Sequence, residues 1–462
     1  MRNQTRRNVL AGLAGGLLGA KTKEPNIILV LFDDLGWRDF GCYGNTKPVT
    51  PNIDAIAAEG VKFTQAYAAC PVCSPSRAAL LTGKYPPRTG VTDWIAGRAQ
   101  WPTAKLVTPR TGIFLPLEEV TIAETLKKAG YRTGSVGKWH LGGNDGHMPT
   151  DQGFDHNTGG NERGANGYFG PFNLPGLEGR TAQNYLTTEL GIAARKFATA
   201  DSKPFFLYWP NYAVHLPLQA PGHSGKEGTY AEMLRIADEQ IGLMRDQLKA
   251  AGEYENTIWI ITSDNGGLLY EGKSREAVTN NQPLRAGKGH LYEGGIRVPL
   301  IVKVPGKTKA GLEVSERVCG IDLYPTLLEL LGMAKAQGID GVSLTGLLDG
   351  KKKSLKREAL YWHYPHYSNQ GGVPGGVVIE QNWKLIEFYE TGRLELFDLG
   401  REAGERKNLS GLQGGRALKM KKMLQKWRKE VGAVMPKENP NFDPAKEDQG
   451  LFGKELPTVP AA

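Results

Sequence analysis

Unbroken apolar runs of strand length recur along this chain, and several are followed by polar residues. Ile27-Ile28-Leu29-Val30-Leu31-Phe32 runs into Asp33-Asp34, and Tyr131 to Val136, more mixed in character, also reads as a strand and leads to Lys138 and His140. Phe205-Phe206-Leu207-Tyr208-Trp209 leads to His215, Ile258 to Thr262 runs into Asp264-Asn265, and Pro299 to Val304 is a further strand. Continuous rather than alternating apolarity marks strands covered on both faces, hence a largely parallel sheet between layers of helix. The helices lie between the strands. Asn52 to Glu59 reads as one, and Thr121-Ile122-Ala123-Glu124 is a capping box that opens a second, closed by Gly130. Tyr230 to Ala251 puts Met233, Ile236, Ala237, Met244 and Leu248 largely on one face, and Asp322 to Leu331 is packed by Leu323, Leu327 and Leu330. The class is α/β. In open sheets of this kind, sites form beyond the carboxyl ends of the strands, which is where the polar clusters fall.

Beyond the basic, turn-rich stretch Asp349 to Arg357 the pattern changes. Short runs such as Trp383-Lys384-Leu385-Ile386 and Leu394-Glu395-Leu396-Phe397, spaced by turns, predict an antiparallel sheet, and Arg416 to Val431 predicts a terminal helix. The reading is one large unit over residues 24–350, a smaller α+β unit over 356–435, and a Pro-, Lys- and Glu-rich tail over 436–462 expected to be poorly ordered. Residues 1–22 read as an address label: Thr5-Arg6-Arg7-Asn8-Val9-Leu10 and the apolar, glycine-rich run to Ala20 resemble a twin-arginine export signal. The expected location is therefore periplasmic or extracellular in a bacterium.

Composition adds little to this picture and excludes some classes. A 462-residue chain with 40% hydrophobic and 23% charged residues is ordinary for a folded globular protein. No segment after residue 20 is apolar enough to span a membrane, so no stable insertion is expected. The net charge of +9 is local: residues 401–430 hold ten Lys/Arg against three Glu. That stretch reads either as a solvated helix face or as a surface for polyanions, and no nucleic-acid partner is expected. Four cysteines (Cys42, Cys70, Cys73, Cys319) imply no disulfide framework.

The chemistry centres on Pro71-Val72-Cys73-Ser74-Pro75-Ser76-Arg77, continuing through Ala78-Ala79-Leu80-Leu81-Thr82-Gly83. Cys73 starts a turn and then a helix, with the Arg77 cation one turn on, which is an anion-binding arrangement. Alone, Cys73 also reads as a small buried thiol. The Cys70-x-x-Cys73 spacing admits redox or zinc chemistry, although no second such pair completes a zinc site and Pro75-Ser76-Arg77 fits a thioredoxin-like motif poorly. Asp33, Asp34, Asp264 and Asn265 offer hard oxygen ligands from two strands, a set suited to Ca²⁺ or Mg²⁺ rather than zinc; calcium is favoured because no histidine is among them. Each Asp pair alone also reads as a cap or turn.

These blocks resemble, in order, those of the type I, formylglycine-dependent sulfatases, on the arylsulfatase and N-acetylgalactosamine-sulfate sulfatase side. The matching stretches are residues 31–37, 71–83, Gly137-Lys138-Trp139-His140-Leu141-Gly142, Thr262-Ser263-Asp264-Asn265-Gly266-Gly267 and 287–299, within roughly residues 24 to 410. The resemblance implies an alkaline-phosphatase-like fold, with a large mostly parallel sheet flanked by helices and a smaller C-terminal antiparallel subdomain. It implies one calcium ion at Asp33, Asp34, Asp264, Asn265 and the residue at Cys73. It also implies that Cys73 is converted to formylglycine (3-oxoalanine) by a formylglycine-generating enzyme, and that Arg77, Lys138, His140, His215 and Lys288 complete the site. The expected reaction is hydrolysis of a sulfate monoester on a sulfated carbohydrate, by the hydrated aldehyde. Two alternatives stay open: a phosphodiester or phosphonate monoester hydrolase sharing fold and formylglycine, and a catalytically silent glycan-binding protein if Cys73 remains a thiol. Specificity is expected from the loops Asp93 to Pro116, Asn161 to Arg180 and Tyr361 to Gly376. The roles of His147, His290, His363 and His366 are left open, while His156 and His223 read as structural.

Overall fold

A computed structural model describes residues 23–47, 50–100, 103–269 and 279–446; the expected export signal lies outside the described residues. Fifteen strands follow along the described chain: β1 Asn26–Phe32, β2 Val61–Tyr67, β3 Leu106–Val107, β4 Arg132–Val136, β5 His156–Thr158, β6 Phe205–Pro210, β7 Thr257–Ser263, β8 Arg297–Lys303, β9 Leu312–Val314, β10 Val318–Cys319, β11 Leu360–Tyr364, β12 Gly375–Glu380, β13 Trp383–Phe388, β14 Leu394–Asp398 and β15 Lys437–Glu438.

The first ten, apart from β3, form one sheet in the order β10-β2-β8-β7-β1-β6-β4-β5, with β9 also paired to β2. Every side chain of β1 is buried, as its unbroken apolarity requires. Ile27, Leu29 and Leu31 face a core filled by helices Cys73–Thr82, Ile122–Lys128 and Leu323–Leu330. Ile28, Val30 and Phe32 face the other core, under helices Pro51–Glu59, Leu186–Ala198 and Lys226–Ala250. The capping box at Thr121 and Glu124 is formed. The longest helix starts one turn before the expected Tyr230, and its five predicted apolar residues are all buried.

The sheet is mostly parallel, with one reversal. β8 runs antiparallel to both β2 and β7. The chain leaves β7 at the carboxyl edge, loops through residues 264–296, and re-enters the sheet from that same edge, so β8 must run the other way.

β11 to β14 form an antiparallel meander, and helix Gly414–Glu430 covers it with Ala417, Met420, Leu424 and Trp427. The lysines of that helix lie outside this core: Lys419 and Lys421 pair with Glu380 and Glu387, and Lys422, Lys426 and Lys429 are exposed. These lysines therefore lie on the solvent side of the helix, while Arg428 is buried against Glu387 at 2.9 Å. Residues 349–357 are tied down, with Leu355 N–H donating to Glu316 at 2.9 Å and Arg357 to Asp322 at 2.6 Å. The tail expected to lack order is ordered in its first residues: β15 pairs antiparallel with β3, and Asn439 N–H donates to the Lys105 carbonyl at 2.9 Å. Residues 447–462 lie outside the described residues.

Buried charge joins the two sheets. Lys384 on β13, fully buried, reaches Glu293 at 3.1 Å and Glu405 at 2.8 Å, while Tyr67 on β2 donates to Glu293 at 2.9 Å. Glu293 belongs to the turn entering β8. Lys384→Met is expected to strand two buried carboxylates and lower unfolding stability by about 3–5 kcal/mol, measured by urea titration. A loss below about 1 kcal/mol would remove this cluster from the account of the fold.

Candidate active site

The carboxyl ends of β1, β4, β6 and β7 open on one edge of the sheet, and helix Cys73–Thr82 begins there. Main-chain bonds continue beyond the strands: Asp264 N–H donates to the Phe32 carbonyl and Asp33 N–H to the Ala213 carbonyl, both at 3.1 Å. Asp34 (φ 62°) and His140 (φ 61°) are held in the left-handed region, which residues with a Cβ adopt only where their surroundings enforce it.

Three carboxylates and three cations interlock under this edge. Arg77, fully buried, donates Nε and Nη2 to Asp264 Oδ2 at 2.9 and 2.7 Å, and Nη1 to the Lys138 carbonyl at 2.8 Å. Lys138 Nζ reaches Asp33 Oδ2 at 2.6 Å and Lys288 Nζ reaches Asp34 Oδ2 at 2.7 Å. Burial alone would raise the Asp33 carboxyl, yet Lys138, His215, Arg77 and Lys288 outweigh it and hold its pKa well below the usual range. Asp264 goes the other way, pushed well up by burial and by the Asp33 charge beside it.

Two oxygens of this floor lack partners. Asp33 Oδ1 is buried without a hydrogen-bond partner. Asn265 donates Nδ2 to Asp34 Oδ1 and to the Gly266 carbonyl, both at 2.9 Å, which leaves its Oδ1 buried and unpartnered as well. Unpaired buried acceptors are costly, and hard oxygens of this kind fit a divalent Ca²⁺ or Mg²⁺. Asp33, Asp34, Asp264 and Asn265 are the residues able to hold it. His215 also approaches, with Nε2 3.5 Å from Asp34 Oδ2.

Above this floor lies a pocket of about 560 Å³ lined by Asp34, Cys73, Lys138, His140, His215 and Lys288. Cys73 Sγ is 3.3 Å from His140 Nδ1, and His140 Nε2 donates to the Ile95 carbonyl at 2.6 Å. That bond places the ring proton on Nε2 and leaves a bare Nδ1 facing Cys73. Burial and then the Lys138 charge hold His140 well below its ordinary pKa, so the ring is neutral. His215 is likewise pushed down to about 4, by burial and then by Lys288, and donates Nδ1–H to the Leu216 carbonyl at 2.7 Å.

All sequence-predicted site residues thus converge on one place. The histidines left open do not line this pocket. His147 stacks on Phe114 at 3.7 Å, His363 bonds Tyr389 and the Val434 carbonyl, His366 bonds Thr92, and His290 bonds the Gln370 carbonyl. Arg38 bonds the Gly44 carbonyl, also outside the pocket. Cys70 is buried in the apolar cluster beneath the C-terminal sheet, with no zinc-type grouping around it among the described residues. Sequence reasoning did not find the Ile95 carbonyl, because any residue type supplies one. It marked the loops but not the side chains Trp94, Glu162 and Gln370 that they bring to the pocket.

Residues 25–333 match the family described as Sulfatase, and residues 286–431 match N-sulphoglucosamine sulphohydrolase, C-terminal. The chain is 33% identical to arylsulfatase A of Homo sapiens, over 96% of this chain and 94% of that protein. It is 38% identical to N-acetylgalactosamine-6-sulfatase of Sus scrofa, over 74% of this chain and 69% of that protein. Among solved structures, Ps i-CgsB in complex with k-i-k-neocarrahexaose superposes with a TM-score of 0.76 at 30% identity, covering 92% of this chain and 96% of that one. The fold is accordingly the alkaline-phosphatase-like one that the sequence led us to expect. With the family match running through every strand end that builds the pocket, the chain belongs to the sulfatase family and is a sulfuric ester hydrolase.

Proposed function

We propose that this protein hydrolyses sulfate monoesters of carbohydrates, using calcium held by Asp33, Asp34, Asp264, Asn265 and residue 73, with Cys73 converted to formylglycine. The observation that carries the reading is the pairing of a buried Cys73 with the bare Nδ1 of His140, above a cluster of buried carboxylates in which two oxygens lack a partner. When present, calcium polarises the sulfate oxygens and hydrated formylglycine supplies the oxygen nucleophile for sulfur. The chain's own residues do the rest. Lys138 and Lys288 line the pocket as fixed cations that hold an anion without reorganising, while the buried Arg77 beneath them fixes Asp264. Once the sugar has left, His140 Nδ1 would take the proton of the second hydroxyl at position 73, so that the aldehyde is restored and sulfate departs. His215 Nε2, its other nitrogen tied to Leu216, protonates the departing sugar oxygen with Lys288 beside it. Burial and Lys288 keep His215 neutral, and an anion bound beside it favours the imidazolium that gives up this proton.

The relatives support a sulfated-sugar substrate: one is named for N-acetylgalactosamine 6-sulfate and one is solved with a neocarrahexaose. Because Cys73 is only 3% exposed, a formylglycine-generating enzyme would have to act before the fold closes. The twin-arginine-like leader fits that order, since such export carries already folded proteins to the periplasm or beyond. No helix among the described residues is long and apolar enough to cross a membrane.

The test is sulfate release from 4-nitrophenyl sulfate and from galactose and N-acetylgalactosamine sulfates, abolished by chelation and restored by Ca²⁺. In the same preparation, the tryptic peptide containing Cys73 should have exchanged one sulfur and two hydrogens for one oxygen. An active enzyme whose Cys73 is an intact thiol would sink the formylglycine reading. A correctly modified, calcium-loaded protein inactive on all of these esters would sink the substrate class.

A further inference from the structure

Besides the charged floor, the pocket is lined by polar side chains from two loops, Glu162 with Arg163 and Asn369 with Gln370, of which Glu162 and Gln370 are the ones held in place by their surroundings. Gln370 is held from three sides. Its main-chain N–H donates to Ser368 Oγ at 3.0 Å, and Ser368 returns its one hydroxyl proton to Gln370 Oε1 at 2.8 Å. The buried His290 ring donates Nε2–H to the Gln370 carbonyl at 3.0 Å, which ties this loop to the turn bearing Lys288. The oxygen of the side-chain amide is thereby engaged. Its Nε2 is left with two N–H groups and no protein partner among the described residues.

Glu162 comes from a different loop. Its side chain is 42% exposed and approaches Arg163 Nε at 3.4 Å. It packs so closely on Gly143 that a Cβ there would lie 2.7 Å from Oε2. A carboxylate at the rim of an anion-binding pocket repels the very group the floor attracts, so sulfate binding does not account for it. Trp94, Leu216 and Leu268 add an aromatic and apolar wall. An acceptor, a donor and an apolar surface together match a pyranose ring, which offers hydroxyls at its edge and C–H groups on its face. An aryl sulfate offers no hydroxyl.

We propose that Glu162 and Gln370 form a sugar-binding subsite that accepts from and donates to ring hydroxyls, and so selects glycosyl sulfates over aryl sulfates. The proposal rests on the sulfatase reading and adds which side chains read the sugar. Hydrogen bonds to charged groups are the stronger ones, so Glu162 should contribute more than Gln370.

The experiment compares kcat/KM for 4-nitrophenyl sulfate with that for whichever galactose or N-acetylgalactosamine sulfate the wild type turns over fastest. Glu162→Ala is expected to lower the sugar value roughly 10–100-fold, and the near-isosteric Gln370→Met about 10-fold, both mainly through KM. Nitrophenyl sulfate should change by less than about 2-fold with Gln370→Met, and with Glu162→Ala its KM should hold or fall, since a repelling charge is gone. Equal losses on both substrates, or no loss on the sugar, overturn the subsite. So does a wild type that cleaves nitrophenyl sulfate and none of the sugars. A wild type inactive on everything instead removes the sulfatase reading itself, which tells the two failures apart.

Discussion

Asp264→Ala is expected to abolish most of the stabilisation that calcium confers, and to lower turnover at least roughly 10²-fold. The two effects have separable origins. Without an ion, Asp264 is the counter-ion of a fully buried Arg77, so removing it strands a cation and costs about 3–5 kcal/mol. The variant should therefore melt lower even in chelator, and the melting point alone is no measure of calcium binding. The informative quantity is the increment that calcium adds: about 2.7 kcal/mol for wild type at a hundredfold excess over Kd, and near zero for the variant. Asp264→Asn sharpens the comparison, since it keeps an acceptor for Arg77 while discarding the charge that calcium needs. Unfolding followed with excess Ca²⁺ and with chelator reads both terms. An undiminished calcium increment in Asp264→Ala would remove this residue from the ion site.

The charge balance explains why one lost carboxylate matters so much. Asp33, Asp34 and Asp264 are matched by Arg77, Lys138 and Lys288, so the floor is close to neutral before an ion arrives. A divalent ion turns it into a net cation, which is what an anionic ester requires. Without Asp264 the same three cations face two carboxylates, and calcium would enter a site already positive.

Most of this floor was legible in the sequence because strand ends are. A strand buried on both faces tends to an unbroken apolar run, so its polar successor is marked, and Asp33 and Asp264 each follow such a run, whereas Lys138 and His140 follow the more polar Arg132–Val136 and were marked by the helix and strand pattern around them. Lys288 was legible only through resemblance, since no local pattern tells where the loop from 264 to 296 folds back. The reversed strand β8 was missed for the same reason: Arg297 to Lys303 is as buried as its parallel neighbours and carries no mark of direction. Tertiary partners hid the rest. The pairing of Lys437–Glu438 with Leu106–Val107 involves two-residue strands too short for any periodicity. Gln370 acquires a role only because Ser368 orients its side-chain amide and His290, distant in sequence, holds its main-chain carbonyl.

Exchanging the leaving group should separate the two pocket histidines. His215 presents Nε2 to the pocket while Nδ1 is bound to Leu216; His140 presents Nδ1 to position 73 while Nε2 is bound to Ile95. One ring thus serves the departing oxygen and the other the nucleophile side. A sugar alkoxide is a poor leaving group that needs a proton as the S–O bond breaks, whereas nitrophenolate departs nearly unaided. General-acid assistance is worth roughly 10²–10⁴-fold, and only the sugar should feel it. His215→Ala is therefore expected to depress kcat/KM for the sugar sulfate by that factor and for 4-nitrophenyl sulfate by less than about 10-fold, provided S–O cleavage limits both. His140→Ala should slow both substrates by a common factor, because position 73 is needed whatever leaves. The ratio of the two kcat/KM values, measured in wild type and both variants, is the readout. If it stays constant in His215→Ala, or shifts against the sugar in His140→Ala instead, the assignments are wrong.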